Sequence, residues 1–104
     1  MEDILAYFRI VIGMLSYYSM VKLLDFWAPW CGPCRIMNPI LEELEKELGS
    51  KVTVEKINVD ENQDLPSKYG VMSIPTYVVL KDDKEVGRKI GVTSKADLLK
   101  LLQS

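Results

Sequence analysis

The sequence contains no histidine and only two cysteines, and both shortages restrict the chemistry that the chain can perform. Without histidine it lacks the commonest transition-metal ligand and the usual general base of serine and cysteine hydrolases. Catalysis therefore has to depend on thiols, carboxylates or lysines. Two cysteines are too few for a secreted domain held together by disulfides, which usually carries about four to eight. The pair therefore points to a chemical role.

A large excess of charge of either sign is also missing. The formal net charge is −2 and lysines are scattered among glutamates, so no basic stripe is present that could follow a phosphate backbone. This excludes nucleic acid as an expected partner. The shares of apolar residues, 48%, and of charged residues, 27%, are ordinary for a folded, soluble protein. A chain of 104 residues holds one core, so we expect a single domain over residues 1–104.

No hydrophobic run is long enough to cross a membrane, although residues 4–24 are strongly apolar. Arg9 interrupts this segment and Lys22 follows it, which leaves about a dozen uncharged residues where a spanning helix needs roughly 20. The chain begins with Met1-Glu2-Asp3 and lacks an Ala-x-Ala-like site after the run, unlike a secretory signal. We expect residues 1–20 to form an early strand or helix on the core, in a cytoplasmic protein. A targeting signal or an anchor is the alternative.

Short apolar runs predict the strands. Residues 21–26, 52–59 and 76–80 are rich in strand-forming residues, and a turn at Asp82-Asp83 joins the third run to an antiparallel partner over residues 85–90. The first run ends just before Pro29, as a buried strand that leads into a loop should.

Three segments predict helices. From Cys34 onward, apolar residues recur at helical spacing as far as Leu48, with Gly49 as the stop and a kink at Pro39. Residues 60–70 predict a short helix or turn. Ser94 and Asp97 form a capping box for a last, leucine-rich helix. The order of elements indicates an α/β fold in which a mixed sheet carries helices on both faces.

The two cysteines occur in the sequence Trp30-Cys31-Gly32-Pro33-Cys34, at the beginning of the predicted long helix. Two thiols at this spacing can close a small disulfide, and the free amides of a helix N-terminus stabilise a thiolate on the first one. Cys31 is therefore the expected nucleophile, which forms a mixed disulfide with a substrate. Cys34 is the expected resolving thiol.

A cysteine pair at this spacing could also bind zinc or serve only as a structural bridge. A structural zinc site needs about four ligands, and the chain offers one cysteine pair and no histidine, so only a site shared between molecules would be complete. A purely structural disulfide is also possible, although a bridge between residues three apart closes a very short loop and stabilises little.

The cysteine motif lies in a longer segment that resembles the active-site segment of the thioredoxin family nearly residue for residue: Leu24-Asp25-Phe26-Trp27-Ala28-Pro29-Trp30-Cys31-Gly32-Pro33-Cys34-Arg35. Further matches follow in the order and spacing of the family, at Pro39-Ile40-Leu41, Lys56-Ile57-Asn58-Val59-Asp60, Tyr69-Gly70-Val71, Ser73-Ile74-Pro75-Thr76 and Gly91. The resemblance extends over residues 21–102, whereas the first 20 residues depart from the family. It implies the thioredoxin fold, with a central mixed four- to five-stranded sheet flanked by helices on both faces.

The resemblance also implies roles for individual residues. Pro75 matches the family's cis-proline, which would set Ile74 beside the cysteines with a backbone free to pair with an extended substrate. Asp25 matches a buried aspartate that exchanges a proton with Cys34, and a carboxyl in an apolar strand should indeed have a raised pKa. Lys56 matches a lysine near this aspartate; the alternative is a lysine at a strand end that reaches solvent.

By the same resemblance, Trp27 packs beneath the site and a flat apolar patch docks the substrate. An exposed patch of this kind is usually an interaction site. The residues expected in it are Trp30, Gly32, Pro33, Ile74, Pro75, Gly91 and Val92.

The function implied is the reduction of disulfides in client proteins. The resemblance implies recycling by a flavoprotein thioredoxin reductase that draws on NADPH, with no cofactor or metal bound to the chain itself. Gly32-Pro33 between the cysteines is typical of reductases, whereas isomerases and oxidases tend to carry histidine there. A monomer suffices for this activity. The alternatives are a binding module that uses the same surface without redox turnover, and a membrane-tethered or exported reductase.

Overall fold

The computed structural model describes residues 21–103, so the expectations for residues 1–20 lie outside the described part of the chain. The described elements are the strands β1 (Val21–Trp27), β2 (Thr53–Asn58), β3 (Thr76–Lys81) and β4 (Lys84–Ile90), and the helices α1 (Gly32–Leu48), α2 (Asp64–Lys68) and α3 (Lys95–Gln103). A short 3-10 turn, Gly49–Lys51, follows α1.

The four described strands form one mixed sheet in the order β2-β1-β3-β4. β1 runs parallel to β2 and antiparallel to β3, and β4 runs antiparallel to β3. The predicted hairpin turn is confirmed: Asp82 and Asp83 have positive φ angles of 52° and 64°. Positive φ at both central residues is what a two-residue hairpin needs, and aspartate tolerates this conformation better than most residues.

Helices cover both faces of the sheet, as predicted. On one face α1 and α3 pack on β1 and β3, and the cluster includes Leu23, Met37, Leu44, Val79 and Leu98. On the other face Phe26, Val78 and their neighbours are covered from the side of α2 by Leu65, Tyr69 and Val71. β3 is buried along five of its six residues because it lies inside the sheet with both faces covered.

The helix ends follow from local sequence. α1 begins at Gly32, two residues earlier than the apolar spacing predicts, because Cys31 caps it and Pro33 fits the first turn, where no amide hydrogen is needed. Pro39 lies within α1, which continues to Leu48; a kink there stays a prediction. The Asp97 amide donates to Ser94 Oγ over 3.1 Å, so Ser94 caps α3 as expected. Within residues 21–103 no helix is both long and apolar enough to cross a membrane.

Candidate active site

The cysteine pair lies where β1 leads into α1. The Cys31 amide donates to the Ala28 carbonyl over 3.1 Å, and the Arg35 guanidinium donates to the Pro29 carbonyl over 2.9 Å. These two hydrogen bonds hold the short connection closed. They fix Cys31 at the N-cap of α1, in the extended conformation that an N-cap residue requires.

The sulfur of Cys31 accepts a hydrogen bond from the helix that follows it. Cys31 and Cys34 form a disulfide, with their Cα atoms 5.3 Å apart. The Cys34 amide donates to Cys31 Sγ over 3.2 Å. When the pair is reduced, the same amide and the dipole of α1 favour negative charge on Cys31 Sγ. Since Cys34 lies one turn further into the helix, the geometry distinguishes the two thiols.

Apolar side chains surround the pair. Both cysteines are almost fully buried, and Trp27, Val59 and Ile74 pack against them. Gly32, between the cysteines, is exposed, and apart from its chain neighbours and the nearby backbone of α1 no atom lies within 4 Å of the position that a Cβ would take there. The backbone between the two cysteines is therefore open to solvent.

The Ile74–Pro75 bond is cis, as predicted, and the segment around it is held from two sides. Thr76 Oγ1 donates to the Ser73 carbonyl over 2.6 Å, and the Gly91 amide donates to the Pro75 carbonyl over 2.8 Å. The Pro75 carbonyl is thus already paired. Among residues 21–103 the backbone of Ile74 forms no main-chain hydrogen bond and stays available to an incoming strand.

The residues expected in the docking patch differ in how far they are exposed. Trp30 is 67% exposed and Val92 56%, and the bond from Gly91 to Pro75 brings Val92 to the same side of the molecule as the cis-proline. Pro33 is exposed as well. Pro75 itself is buried, so it shapes this surface from below.

A groove of about 390 Å³ opens next to this surface. Trp30 and Ile74 are the two members of the predicted patch that line it. The sequence pattern did not reveal its other lining residues, Val59, Pro66, Val71, Met72 and Ser73. Met72 is 95% exposed, and a single exposed methionine in a loop leaves no pattern in a sequence that would reveal it.

The Trp30 ring is held in place by an acidic residue that the sequence pattern also failed to reveal. Trp30 Nε1 donates to both carboxylate oxygens of Asp60, over 3.0 and 3.2 Å. The Asp60 amide in turn donates to Asn58 Oδ1 over 3.0 Å, which orients the residue that follows β2. The only signal in the sequence was that Asp60 ends one of the matched motifs.

Asp25 lies in the middle of β1, 3% exposed, and burial is the main cause that raises its pKa to about 6. Lys56 lies opposite Asp25 on β2, and its positive charge lowers the pKa of Asp25. Glu45 on α1 raises it. Asp25 and Trp27 project from the same face of β1, because they are two residues apart.

The structure brings most of the predicted site residues together. The cysteines, Trp27 and Ile74 form one cluster. Asp25 lies one strand repeat away on the same face, with Lys56 next to it in register. Lys56 is exposed, so it combines the two expectations: it reaches solvent and still acts on Asp25.

Comparison with known proteins gives the same assignment throughout the described chain. The thioredoxin family model matches residues 14–104. A thioredoxin from Bacillus subtilis is 55% identical over 82 residues, which cover 79% of this chain and 79% of that protein. A thioredoxin from Rhodospirillum rubrum is 54% identical over 80 residues and 77% of each chain.

Solved structures agree with the sequence comparisons. A mutant thioredoxin from Halobacterium salinarum NRC-1 superimposes with a TM-score of 0.74 at 38% identity, over 86% of this chain and 77% of that chain. Thioredoxin-2 of a malaria parasite gives a TM-score of 0.76 at 32% identity, over 81% and 82%. With the cysteine pair at the N-terminus of α1, these similarities leave one conclusion: the chain belongs to the thioredoxin family and is a thiol-disulfide oxidoreductase, a protein-disulfide reductase with the redox-active disulfide Cys31–Cys34.

Proposed function

We propose that Cys31 is the nucleophile and Cys34 the resolving thiol in the reduction of client disulfides. The observation that carries this assignment is the hydrogen bond from the Cys34 amide to Cys31 Sγ at the N-cap of α1. Cys31 thiolate attacks one sulfur of the client disulfide and releases the other as a thiolate. Cys34 then attacks Cys31 Sγ, which releases the second client thiol and leaves the Cys31–Cys34 disulfide.

Asp25 is the group that accepts the proton of Cys34 during this second step. Because its pKa is about 6, Asp25 can both accept and release a proton near neutral pH, as a general base must. The positive charge of Lys56 favours the ionised form, so Lys56 adjusts the balance from the neighbouring strand.

The client polypeptide binds across the exposed side of the disulfide. The backbone of Ile74, which pairs with no main-chain group of the described residues, supports pairing with an extended segment of the client, and the exposed Trp30 and Val92 support apolar contacts on either side. Gly32 and Pro33 present a surface without bulky side chains, and Gly91 supports the loop that carries Val92.

After each turnover the disulfide has to be reduced again. A flavoprotein thioredoxin reductase that draws on NADPH is the expected electron donor. The expected compartment is the cytoplasm, where such systems keep thiols reduced. The chain itself carries the electrons as its dithiol, and one copy contains both cysteines, so a monomer completes the cycle.

Reduction of insulin disulfides by dithiothreitol tests the assignment of the two thiols. The unmodified protein should accelerate the reaction, and both single variants, Cys31→Ser and Cys34→Ser, should lose turnover. The variants differ in a second readout, taken without dithiothreitol: the reduced Cys34→Ser variant should accumulate a mixed disulfide with insulin, whereas the reduced Cys31→Ser variant should not. Accumulation with Cys31→Ser instead would reverse the two roles.

A further inference from the structure

Tyr77 lies opposite Asp25 in the centre of the sheet. The two residues are direct partners in the antiparallel pairing of β1 with β3. Side chains of directly opposed residues lie on the same face of a sheet, with Cβ atoms about 4.5–5.5 Å apart. Tyr77 is fully buried and Asp25 is 3% exposed, so the two polar side chains are enclosed together under α1.

The hydroxyl of Tyr77 is buried and has no hydrogen-bond partner among residues 21–103. Buried phenols usually find one, because a hydroxyl that leaves water without a partner costs about 1–3 kcal/mol. The side chains clustered around Tyr77 are apolar, among them Leu23, Met37 and Val79. A phenylalanine would pack against these side chains equally well, so packing alone does not explain why the residue carries a hydroxyl.

We propose that Tyr77 is a positioning residue of the thiol-disulfide reaction, whose hydroxyl donates through one water molecule to the ionised Asp25 carboxylate. In this proposal one water molecule bridges the two side chains, because Tyr77 and Asp25 form no direct hydrogen bond. The bond favours the carboxylate, which is the form that accepts the proton of Cys34. This inference rests on the proposed role of Asp25.

The charges around Asp25 are consistent with a need for such a donor. Burial and Glu45 of α1 favour the protonated form of Asp25, and among residues 21–103 the charge that opposes them is that of Lys56 on β2. Burial, followed by the negative charge of Asp25, raises the pKa of Tyr77 above its usual range. The phenol therefore keeps its proton at every pH at which the protein works and acts as a donor.

The test compares two variants that each remove one hydroxyl. Tyr77→Phe removes the proposed donor, and Tyr69→Phe removes a hydroxyl on the other face of the sheet, where Tyr69 packs on Phe26. The Asp25 carboxyl is titrated by carbon-13 NMR in the oxidised protein. The pH dependence of the Cys34 step is followed separately, by release of a client from its mixed disulfide.

Tyr77→Phe should raise the midpoint of the Asp25 titration by about 0.5 pH unit or more and move the pH profile of client release upward by the same amount. Tyr69→Phe should leave both unchanged. An unchanged or lowered midpoint in Tyr77→Phe would overturn the proposal and leave the role of Asp25 intact. A raised midpoint with an unchanged release profile would show that neither Tyr77 nor Asp25 takes part in client release, which would overturn the proposal and the proposed role of Asp25 together.

Discussion

At the scale of single residues, the buried carboxyl of Asp25 couples the active site to the stability of the fold. Its pKa rises from 3.8 to about 6 because burial disfavours the charged form. A carboxyl with a raised pKa in the folded state contributes stability that is complete below about pH 3.8 and is lost as the pH rises through about 6. Above that pH, the folded protein bears the cost of a buried charge.

Asp25→Asn should therefore stabilise the protein at neutral pH. The expected gain in the free energy of unfolding at pH 7.5 is up to about 3 kcal/mol, and it should disappear towards pH 4. Urea denaturation at the two pH values measures it. Glu61→Gln, at an exposed position, is the control and should change little at either pH. A gain in Asp25→Asn that stays constant with pH would show that burial of the charge is not its cause.

Asp60 should matter for clients rather than for folding. Its carboxylate fixes the ring of Trp30, an exposed side chain, so little packing depends on it. Asp60→Ala should lower kcat/KM for insulin reduction about two- to fivefold while changing the free energy of unfolding by less than about 1 kcal/mol. Glu61→Ala, the neighbouring acidic residue, is the matched control. Equal effects of the two variants would indicate a general loss of negative charge instead of a loss of ring orientation.

At the scale of elements, β4 is tied to the end of α2 by Arg88. Its Nη2 atom donates to the Tyr69 carbonyl over 2.7 Å, and the guanidinium forms an ion pair with Glu85 over the same distance. Tyr69 is the last residue before the loop that leads through Met72 to Pro75. Arg88 therefore fixes the end of α2, and the loop that follows α2 forms one wall of the groove.

Arg88→Ala should loosen this wall. We expect faster amide hydrogen exchange over residues 70–74, a higher KM for insulin, and a loss of about 1–2 kcal/mol in the free energy of unfolding. Glu85→Gln keeps the bond from Arg88 to the Tyr69 carbonyl and serves as the matched control, with a loss below about 1 kcal/mol. If Glu85→Gln increases exchange as strongly as Arg88→Ala, the ion pair and not the carbonyl contact holds the loop.

The elements show how far the sequence could predict the structure. The sequence of strands and helices along the chain follows from periodicity, because apolar residues repeat at a spacing that only one kind of element can bury. The cysteine site was visible because its residues are adjacent in the chain. The bond between Trp30 and Asp60 and the pairing of Asp25 with Tyr77 join residues far apart in sequence, and such contacts depend on strand register, which spacing alone does not determine.

At the scale of the whole molecule, the charge distribution favours a reducing protein. Cys31 Sγ accepts a hydrogen bond from the Cys34 amide at the N-terminus of α1, where the helix dipole favours a thiolate once the pair is reduced, but no histidine exists in the chain to add positive charge. Arg35, the nearest cation along the chain, is turned towards the Pro29 carbonyl. Apolar side chains pack against the cysteine pair, and the buried carboxyl of Asp25 lies on the same face of β1 as Trp27. The dithiol is thus only moderately stabilised, which keeps it a good electron donor.

The equilibrium with glutathione tests this balance, with the fluorescence of Trp27 and Trp30 as the readout. The potential of the Cys31–Cys34 pair should lie below the glutathione poise of about −220 to −260 mV. Pro33→His is the informative variant, because an imidazolium between the cysteines would stabilise the thiolate and raise the potential by tens of millivolts. A potential above the glutathione poise in the unmodified protein would make it an oxidant. An unchanged potential in Pro33→His would show that charge next to Cys31 does not determine the reduction potential of the pair.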